Sequence, residues 1–284
     1  MPAKSKRKAL SVRALRRACR EQIGQARATL QRSGRPASIH GARKGIKKVR
    51  AILRLMSNGS GHDSNRKTAK ALRKAAGCLA AARDARVMLR AFERLAGSAA
   101  GQFPELHRRL RKRCRREAHR LKTDEALARA VSQLRKADRK FDSLEIDAGG
   151  WKLFEPGLKR SVLRAREMFD LVRSEPLAEN FHEWRKGVKY LWHQIVLLGP
   201  ALSGAGRVLK EELEELGNLL GEAHDLDLLK EFTAGEKVPV VERRAILRLI
   251  SLRQRLLRRD GLKLGAKVLR DDDPEDICAR VRGE

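Results

Sequence analysis

An all-α fold is predicted for this chain, either as two four-helix bundles or as one duplicated helical bundle. Apolar residues recur at helical spacing through most of the sequence, and runs that alternate between apolar and polar residues are almost absent. Aromatic residues make up only 4% of the 284 residues, whereas hydrophobic residues of all kinds make up 42%. The chain therefore has enough apolar surface for a core, and its composition favours packed helices over sheets.

Segments rich in Gly, Pro and Ser separate the predicted helices, about four in each half of the chain. These segments are 33–38, 57–64, 97–104, 174–176, 199–206 and 235–239. The connection between the halves is predicted at 143–156, where Gly149, Gly150 and Pro156 interrupt the helical pattern.

A segment of the first half recurs in the second half at an offset of 142 residues. The identical pairs within 39–56 and 181–198 are His40/His182, Arg43/Arg185, Lys44/Lys186, Gly45/Gly187, Lys47/Lys189 and Leu55/Leu197. Further on, 77–89 resembles 218–229, and Arg83-Asp84 aligns with His224-Asp225. An internal duplication is therefore predicted. The resulting organisation is a basic tail (1–7) and one domain (8–284) made of a first repeat (8–142) and a second repeat (150–284).

The net positive charge is confined to the first half. The chain carries a formal net charge of +30, and residues 1–142 alone hold 40 Lys and Arg against 10 Asp and Glu. A basic surface that served only solubility would not need this asymmetry. We therefore expect the first half to hold most of a surface that binds a polyanion.

The helix predicted over 39–56 has one apolar and one cationic face. Its cationic residues fall within an arc of about 120° and are His40, Arg43, Lys44, Lys47, Arg50 and Arg54, with Lys48 just outside the arc. In the second copy the shorter cationic face consists of His182, Arg185, Lys186 and Lys189. A solvated face is the simpler interpretation of one such helix. Its recurrence, and the lack of interspersed acids, favour a polyanion site.

The most basic segment of the chain, 107–122, permits two interpretations. Its cations Arg113, Arg116 and Arg120 either form a second wall of the polyanion site or lie on an outer patch for nucleic acid or a membrane surface. Arg73 raises the same question. Asp84 and Asp225 are expected to orient Arg or His groups or to cap a bend, and not to perform acid–base catalysis.

The sequence lacks the patterns that would indicate an enzyme, a metal site or a membrane span. We find no nucleophile elbow, phosphate-binding Gly-rich loop, dinucleotide fingerprint or paired catalytic carboxylates, so we expect no catalysis and no cofactor. The histidines lack the spacing of metal ligands. Four scattered cysteines, no apolar secretion core and no long apolar run indicate a cytoplasmic protein without membrane insertion.

Four segments in order resemble the CHAD domain, the conserved histidine α-helical domain. They are the duplicated His-x-x-Arg-Lys-x-x-Lys helix, FHEWRKGVKYLW (181–192), LGEAHDLDLL (220–229) with its counterpart RDARVML (83–89), and 253–269, which resembles the last helix of the family. The resemblance covers roughly 8–284. An amino-terminal triphosphate-tunnel domain, common in the family, is not expected here, because no ExExK strand is present.

The resemblance implies two four-helix repeats around a basic cavity that binds inorganic polyphosphate. It implies that the cationic residues named above contact this ligand, and that the protein could associate with polyphosphate granules. The main alternative is a DNA- or RNA-associated architectural protein, which the charge alone would support. Weak non-specific binding of nucleic acid is expected in either case.

Overall fold

The computed structural model describes residues 12–32, 36–56, 62–123, 125–141, 151–199, 202–269 and 273–282. Within these residues the chain forms eleven α-helices and one short 3₁₀ helix, and it contains no β-strand. The predicted all-α class is therefore confirmed. The predicted basic tail, 1–7, lies outside the described residues. None of the described helices is long and apolar enough to cross a membrane.

The described part of the first half contains six α-helices and that of the second half contains five. The first six are α1 (Val12–Arg32), α2 (Pro36–Leu55), α3 (His62–Cys78), α4 (Ala80–Ala96), α5 (Pro104–Thr123) and α6 (Ala126–Lys140), with the 3₁₀ helix (Gly97–Gln102) between α4 and α5. The other five are α7 (Trp151–Ser174), α8 (Ala178–Leu197), α9 (Gly204–Gly235), α10 (Val240–Leu269) and α11 (Pro274–Arg282).

Several helix ends coincide with the predicted breaks. Pro104 is the first residue of α5, a position where the missing backbone N–H has no helical partner to lose. Ser203 caps α9, because its hydroxyl accepts a hydrogen bond from the Gly206 amide at 2.9 Å. The boundary at Leu79, between α3 and α4, was not predicted, although Gly77 lies two residues before it.

The prediction that Pro156 interrupts the helical pattern is wrong. Pro156 is the sixth residue of α7, which continues to Ser174. A proline inside a helix removes one backbone hydrogen bond and costs about 3 kcal/mol or more. The neighbouring side chains of Phe154 and Leu158 are fully buried, and this burial offsets the cost. The other predicted interruptions, Gly149 and Gly150, lie outside the described residues.

Gly157 allows α7 to approach the carboxyl end of α2. A Cβ atom built on Gly157 would lie 2.6 Å from the carbonyl carbon of Leu55 and would overlap its oxygen. Only glycine fits this position without a backbone shift. The first and second halves of the chain therefore meet here at backbone distance.

Two hydrophobic cores hold the helices together, and each core contains residues from both halves. The first core includes α1, α2, α3 and α6 together with α7, α8, α11, the start of α9 and the end of α10. The second core packs α4 and α5 against the rest of α9 and α10. One expectation was a separate four-helix bundle for each half of the chain. The described helices do not separate in this way. The reason is that α9 and α10, 32 and 30 residues long, pass through both cores. The internal duplication stays a prediction.

The two helices that carry the recurring motif, α2 and α8, pack against each other. Gln194 of α8 donates a hydrogen bond to the Ala51 carbonyl of α2 at 3.3 Å, and both residues are buried. Near one end of the contact, the Arg54 guanidinium lies 3.9 Å from the centre of the Tyr190 ring. The apolar faces of both helices are buried in the first core. Their basic faces consequently lie side by side.

We expect Gly157→Ala to lower the free energy of unfolding by about 1–3 kcal/mol, because the new methyl group forces α7 away from Leu55. A matched change is Gly24→Ala in α1, where an added Cβ meets nothing within 4 Å. This control should raise the free energy of unfolding by up to about 1 kcal/mol. Urea unfolding followed by circular dichroism measures both values. Equal midpoints for Gly157→Ala and the wild type would contradict the close approach.

Candidate anion-binding site

A cavity of about 400 Å³ lies between α2, α4, α8 and α9, and we call it the cationic pocket. It is lined by His40, Arg43, Lys44, Lys47, Arg83, Val87, Arg90, Arg94, Arg185, Lys189, Trp192, His193, Asn218 and Asp225. Eight of these residues are Arg or Lys, and one is a carboxylate. Like charges in one cavity repel each other, and a bound anion would relieve this repulsion.

Both copies of the recurring motif contribute to this region. An adjoining cavity of about 290 Å³ shares Arg43, Lys47, Arg83, Arg185, Lys189 and His193 with the cationic pocket. It adds Arg50, His182, Lys186, Tyr190 and His224. Nine of the predicted site residues are therefore brought together by α2 and α8: His40, Arg43, Lys44, Lys47, Arg50, His182, Arg185, Lys186 and Lys189.

Helix α4 supplies three cations that the sequence analysis did not include, Arg83, Arg90 and Arg94. They follow each other at spacings of seven and four residues, so they share one face of the helix. The opposite face of α4 packs into the second core. The spacing was therefore a usable signal, although nothing in it indicates that this face meets α2 and α8.

Asp225 of α9 is the carboxylate of the cationic pocket, and arginines surround it. Its two oxygens lie 3.6 Å from Arg83 and 3.8 Å from Arg94. Arg83 also donates a hydrogen bond to its neighbour Asp84 at 2.8 Å. Burial raises the pKa of Asp225, and the nearby Arg83 and Arg185 oppose this rise. These contacts agree with the expectation that Asp84 and Asp225 orient basic groups.

The two half-buried lysines of the pocket, Lys47 and Lys189, hold their protons weakly. Burial, followed by the charges of Arg185 and Arg83, lowers the pKa of Lys47 to about 7. Burial and the charge of Arg185 lower the pKa of Lys189 to about 8. Lys189 also donates a hydrogen bond to the side-chain oxygen of Asn218 at 3.3 Å. An anion in the pocket would restore the charge of both amines.

The histidines of this region favour their neutral forms. Nδ1 of His182 lies 3.2 Å from Nδ1 of His224, so one ring donates a hydrogen bond and the other accepts it. Burial, then the charge of Arg185, lowers the pKa of His224 to about 3. Burial and nearby cations likewise lower the pKa of His182 and His40, and that of His193 to about 4. At neutral pH these rings can act as hydrogen-bonding groups in an empty pocket.

Some buried polar atoms of the pocket have no hydrogen-bond partner in the described part of the chain. Nε of Arg185 is buried and finds no hydrogen-bond partner there, and the same holds for Nδ1 of His193. Buried polar groups are nearly always paired in folded proteins. A planar guanidinium matches the oxygens of phosphate or carboxylate groups especially well. The arrangement can therefore bind an oxyanion.

Several predicted site residues lie outside both cavities. Arg54 is exposed and lies over the Tyr190 ring, and Lys48 is half-buried on α2. Arg73 is exposed on α3, close enough to Arg50 for its charge to contribute to lowering the Arg50 pKa, an effect due first to burial. These three residues do not line the pocket, although they lie on or beside its helices.

The structure decides the position of the basic helix α5. None of its residues lines the cationic pocket, so Arg113, Arg116 and Arg120 do not form a second wall. Arg116 and Arg120 are exposed and lie 3.3 and 3.9 Å from the carboxylate of Glu117. Arg113 lies 5.3 Å from the centre of the Phe232 ring, in a separate cavity. The helix is held away because its apolar side packs into the second core.

These features define an all-helical domain with a strongly cationic pocket between helices of both halves. The CHAD domain family model matches residues 14–234, and the chain belongs to this family. Among solved structures, PptA from Streptomyces chartreusis is similar at 13% identity with a TM-score of 0.70, over 91% of this chain and 99% of that chain. The CHAD domain from the plant Ricinus communis is similar at 17% identity with a TM-score of 0.56. The match covers 95% of this chain and 90% of that chain. No curated protein matches the sequence.

We expect Lys47→Met to change how stability depends on pH. The unfolded chain holds the Lys47 proton up to an ordinary pKa of 10.5, whereas the folded chain releases it near 7. The unfolded state thus binds more protons between these values, so stability due to this group rises with pH across that window. The variant should have a higher Tm than the wild type at pH 7, and the gain should shrink towards pH 10.

The matched control is Lys44→Met, one turn earlier on α2, where the side chain is exposed. Its Tm should follow the wild-type pH dependence, because an exposed amine keeps its hydration. Thermal unfolding at several pH values measures both variants. Parallel curves for Lys47→Met and the wild type would contradict the burial of a weakly basic amine.

Proposed function

We propose that the protein binds inorganic polyphosphate in the cationic pocket, without catalysing its turnover. The observation that carries the proposal is that eight basic side chains and only one carboxylate line a single cavity. Membership of the CHAD family supports it, because this family is linked to polyphosphate binding. Arginine forks and mobile lysine ammonium groups suit a ligand that presents phosphate oxygens along its whole length.

The aromatic residues of the site favour a ligand without bases. Lys189 lies 4.9 Å from the centre of the Trp192 ring, and Arg54 and Arg50 lie 3.9 and 5.5 Å from that of Tyr190. Cations therefore occupy positions over both rings. Proteins that bind single-stranded nucleic acid use such rings as free platforms on which bases stack. Polyphosphate needs no such platform.

The proposal of a non-catalytic role rests on the acid and base groups of the pocket. Asp225 lies between Arg83 and Arg94, which favours a positioning role over proton transfer. His224 and His193, with pKa values lowered to about 3 and about 4, would be poor general acids at neutral pH. A binding protein in the cytoplasm, associated with polyphosphate where this polymer accumulates, fits these properties.

A DNA- or RNA-associated role is the second candidate. The observation that favours it is the exposed basic side of α5, outside the pocket. A duplex could lie on such a surface through phosphate contacts alone. It could not enter a cavity of about 400 Å³ between four helices. The two candidates therefore differ in where the ligand binds.

We expect long-chain polyphosphate to displace duplex DNA at equal phosphate concentration and physiological salt. We also expect Arg83→Gln/Arg185→Gln to weaken polyphosphate binding by at least about tenfold, since a hydrogen bond between charged groups contributes roughly 1.5–3 kcal/mol. Fluorescence anisotropy with labelled DNA, and titration with polyphosphate, measure these effects. A folded double variant that binds polyphosphate like the wild type would remove the pocket from the site.

The matched control is Arg244→Gln/Arg248→Gln on α10. Both side chains are exposed and line neither of the two cavities of the site. The control removes the same charge and should retain most of the wild-type affinity. Circular dichroism checks that each variant keeps its helix content. If DNA cannot be displaced by polyphosphate, the nucleic-acid candidate replaces the first.

We expect binding to take up protons and to weaken as pH rises above about 7. Lys47 has a pKa of about 7 in the free protein, and neighbouring phosphate oxygens should raise it in the complex. Its contribution to affinity is therefore complete below pH 7 and is lost towards the pKa of the complex. Calorimetry in two buffers with different ionisation enthalpies measures the proton uptake. Lys47→Gln should reduce this uptake, and unchanged uptake would place Lys47 outside the site.

A further inference from the structure

The surface on the α9 side of the cationic pocket is acidic. Asn218 lines the pocket and also a neighbouring groove on α9. The charged residues of that groove are Glu211, Glu214, Glu215 and Glu222. A polyanion that extends beyond the pocket in this direction meets like charge.

The surface on the α4 side is basic. His40, Arg83, Val87 and Arg90 line the pocket and also a cavity of about 490 Å³, to which Arg86 is added. The boundary between the two cavities is thus itself cationic. A polyanion that fills the pocket can continue over α4 and stay within a region of positive potential.

Helix α5 continues this basic surface, because it runs antiparallel beside α4. The Cys114 thiol donates a hydrogen bond to the Ala85 carbonyl at 3.1 Å, and the His107 ring lies 5.3 Å from the Phe92 ring. Burial raises the pKa of Cys114, and the charge of the nearby Arg86 opposes that rise. Arg86 follows Ala85 in the chain and therefore lies at the junction of α4 and α5.

Three exposed cations on one side of α5 have no carboxylate partner among the described residues. Arg111, Arg115 and Lys122 are exposed, at spacings of four and seven residues that place them on one side of the helix. The described ion pairs of α5 use other residues, chiefly Glu105 and Glu117, and no described carboxylate pairs with these three. Together with Arg86 they form a line of cations that we call the outer strip.

We propose that the outer strip is a second binding segment for the same polyphosphate chain, so that the protein prefers long chains to short ones. This proposal rests on the proposed function. From Arg111 to Lys122 the strip extends about 16 Å along α5, at 1.5 Å per residue. A short chain occupies the pocket alone. A long chain leaves by the basic side and adds the contacts of the strip.

A continuous polyphosphate chain fits the strip better than a nucleic acid does. The strip adjoins the pocket through Arg86 and Arg90, so one flexible chain can occupy both. The described residues of α4 and α5 offer no exposed Phe, Tyr or Trp ring for base stacking, since Phe92 is buried and covered by His107.

The test compares three proteins with three ligands. The strip variant is Arg111→Gln/Arg115→Gln/Lys122→Gln, and glutamine keeps helix propensity close to that of arginine and lysine. The control is Arg244→Gln/Arg248→Gln/Arg255→Gln on α10, which removes the same charge from exposed positions outside the cavities and the strip. Each protein is titrated with tripolyphosphate, with polyphosphate of about one hundred units and with duplex DNA, at several salt concentrations.

We expect the strip variant to bind the long chain at least tenfold more weakly than the control does. Its affinity for tripolyphosphate should lie within twofold of that of the control. The slope of log affinity against log salt for the long chain should fall by about 2, at about 0.7 for each lost phosphate contact. Equal long-chain affinity of the strip variant and the control would overturn the proposal. So would a loss confined to DNA, which would assign the strip to nucleic acid. Failure of the wild type to bind either polyphosphate would instead overturn the proposed function.

Discussion

Repulsion between basic side chains is the constraint on which this structure depends. Helices α2, α4 and α8 direct eight Arg and Lys side chains at one cavity, and α9 supplies a single carboxylate there. Burial, and then this repulsion, lowers the pKa of Lys47 to about 7. The two hydrophobic cores must hold these helices together against that repulsion. An anion in the pocket would relieve it, and the folded state and ligand binding would then favour each other.

The sequence was sufficient to predict the helices and the polarity of their faces. Helical periodicity and Gly- and Pro-rich breaks gave the all-α class and the ends of α4, α7, α8 and α9 to within a few residues. The basic faces of α2 and α8 were found because the motif recurs with the same phase. These features are local, since the rotation between neighbouring residues on a helix is fixed. Pro156 was misjudged because a tertiary contact outweighs a local signal there.

The sequence could not show which helix faces pack against each other. The arginines of α4 were visible as a stripe, but their contact with Asp225 joins residues far apart in the chain. The segment of α5 has the highest charge density, and a search by charge favours it over α4. Its apolar side nevertheless packs into the second core, away from the pocket. Charge density therefore indicated an interacting surface, but only the packing assigned each cation to the pocket or to the outside.

The length of α9 has a consequence for how the molecule unfolds. At 32 residues it extends about 48 Å and contributes side chains to both cores, as does α10. Because each of these helices is packed in both cores, displacing one of them to open one core also disturbs the other core. If the chain were cut between its halves, each fragment would expose the apolar surface that packs against the other half. We therefore expect the described helices to unfold as one cooperative unit.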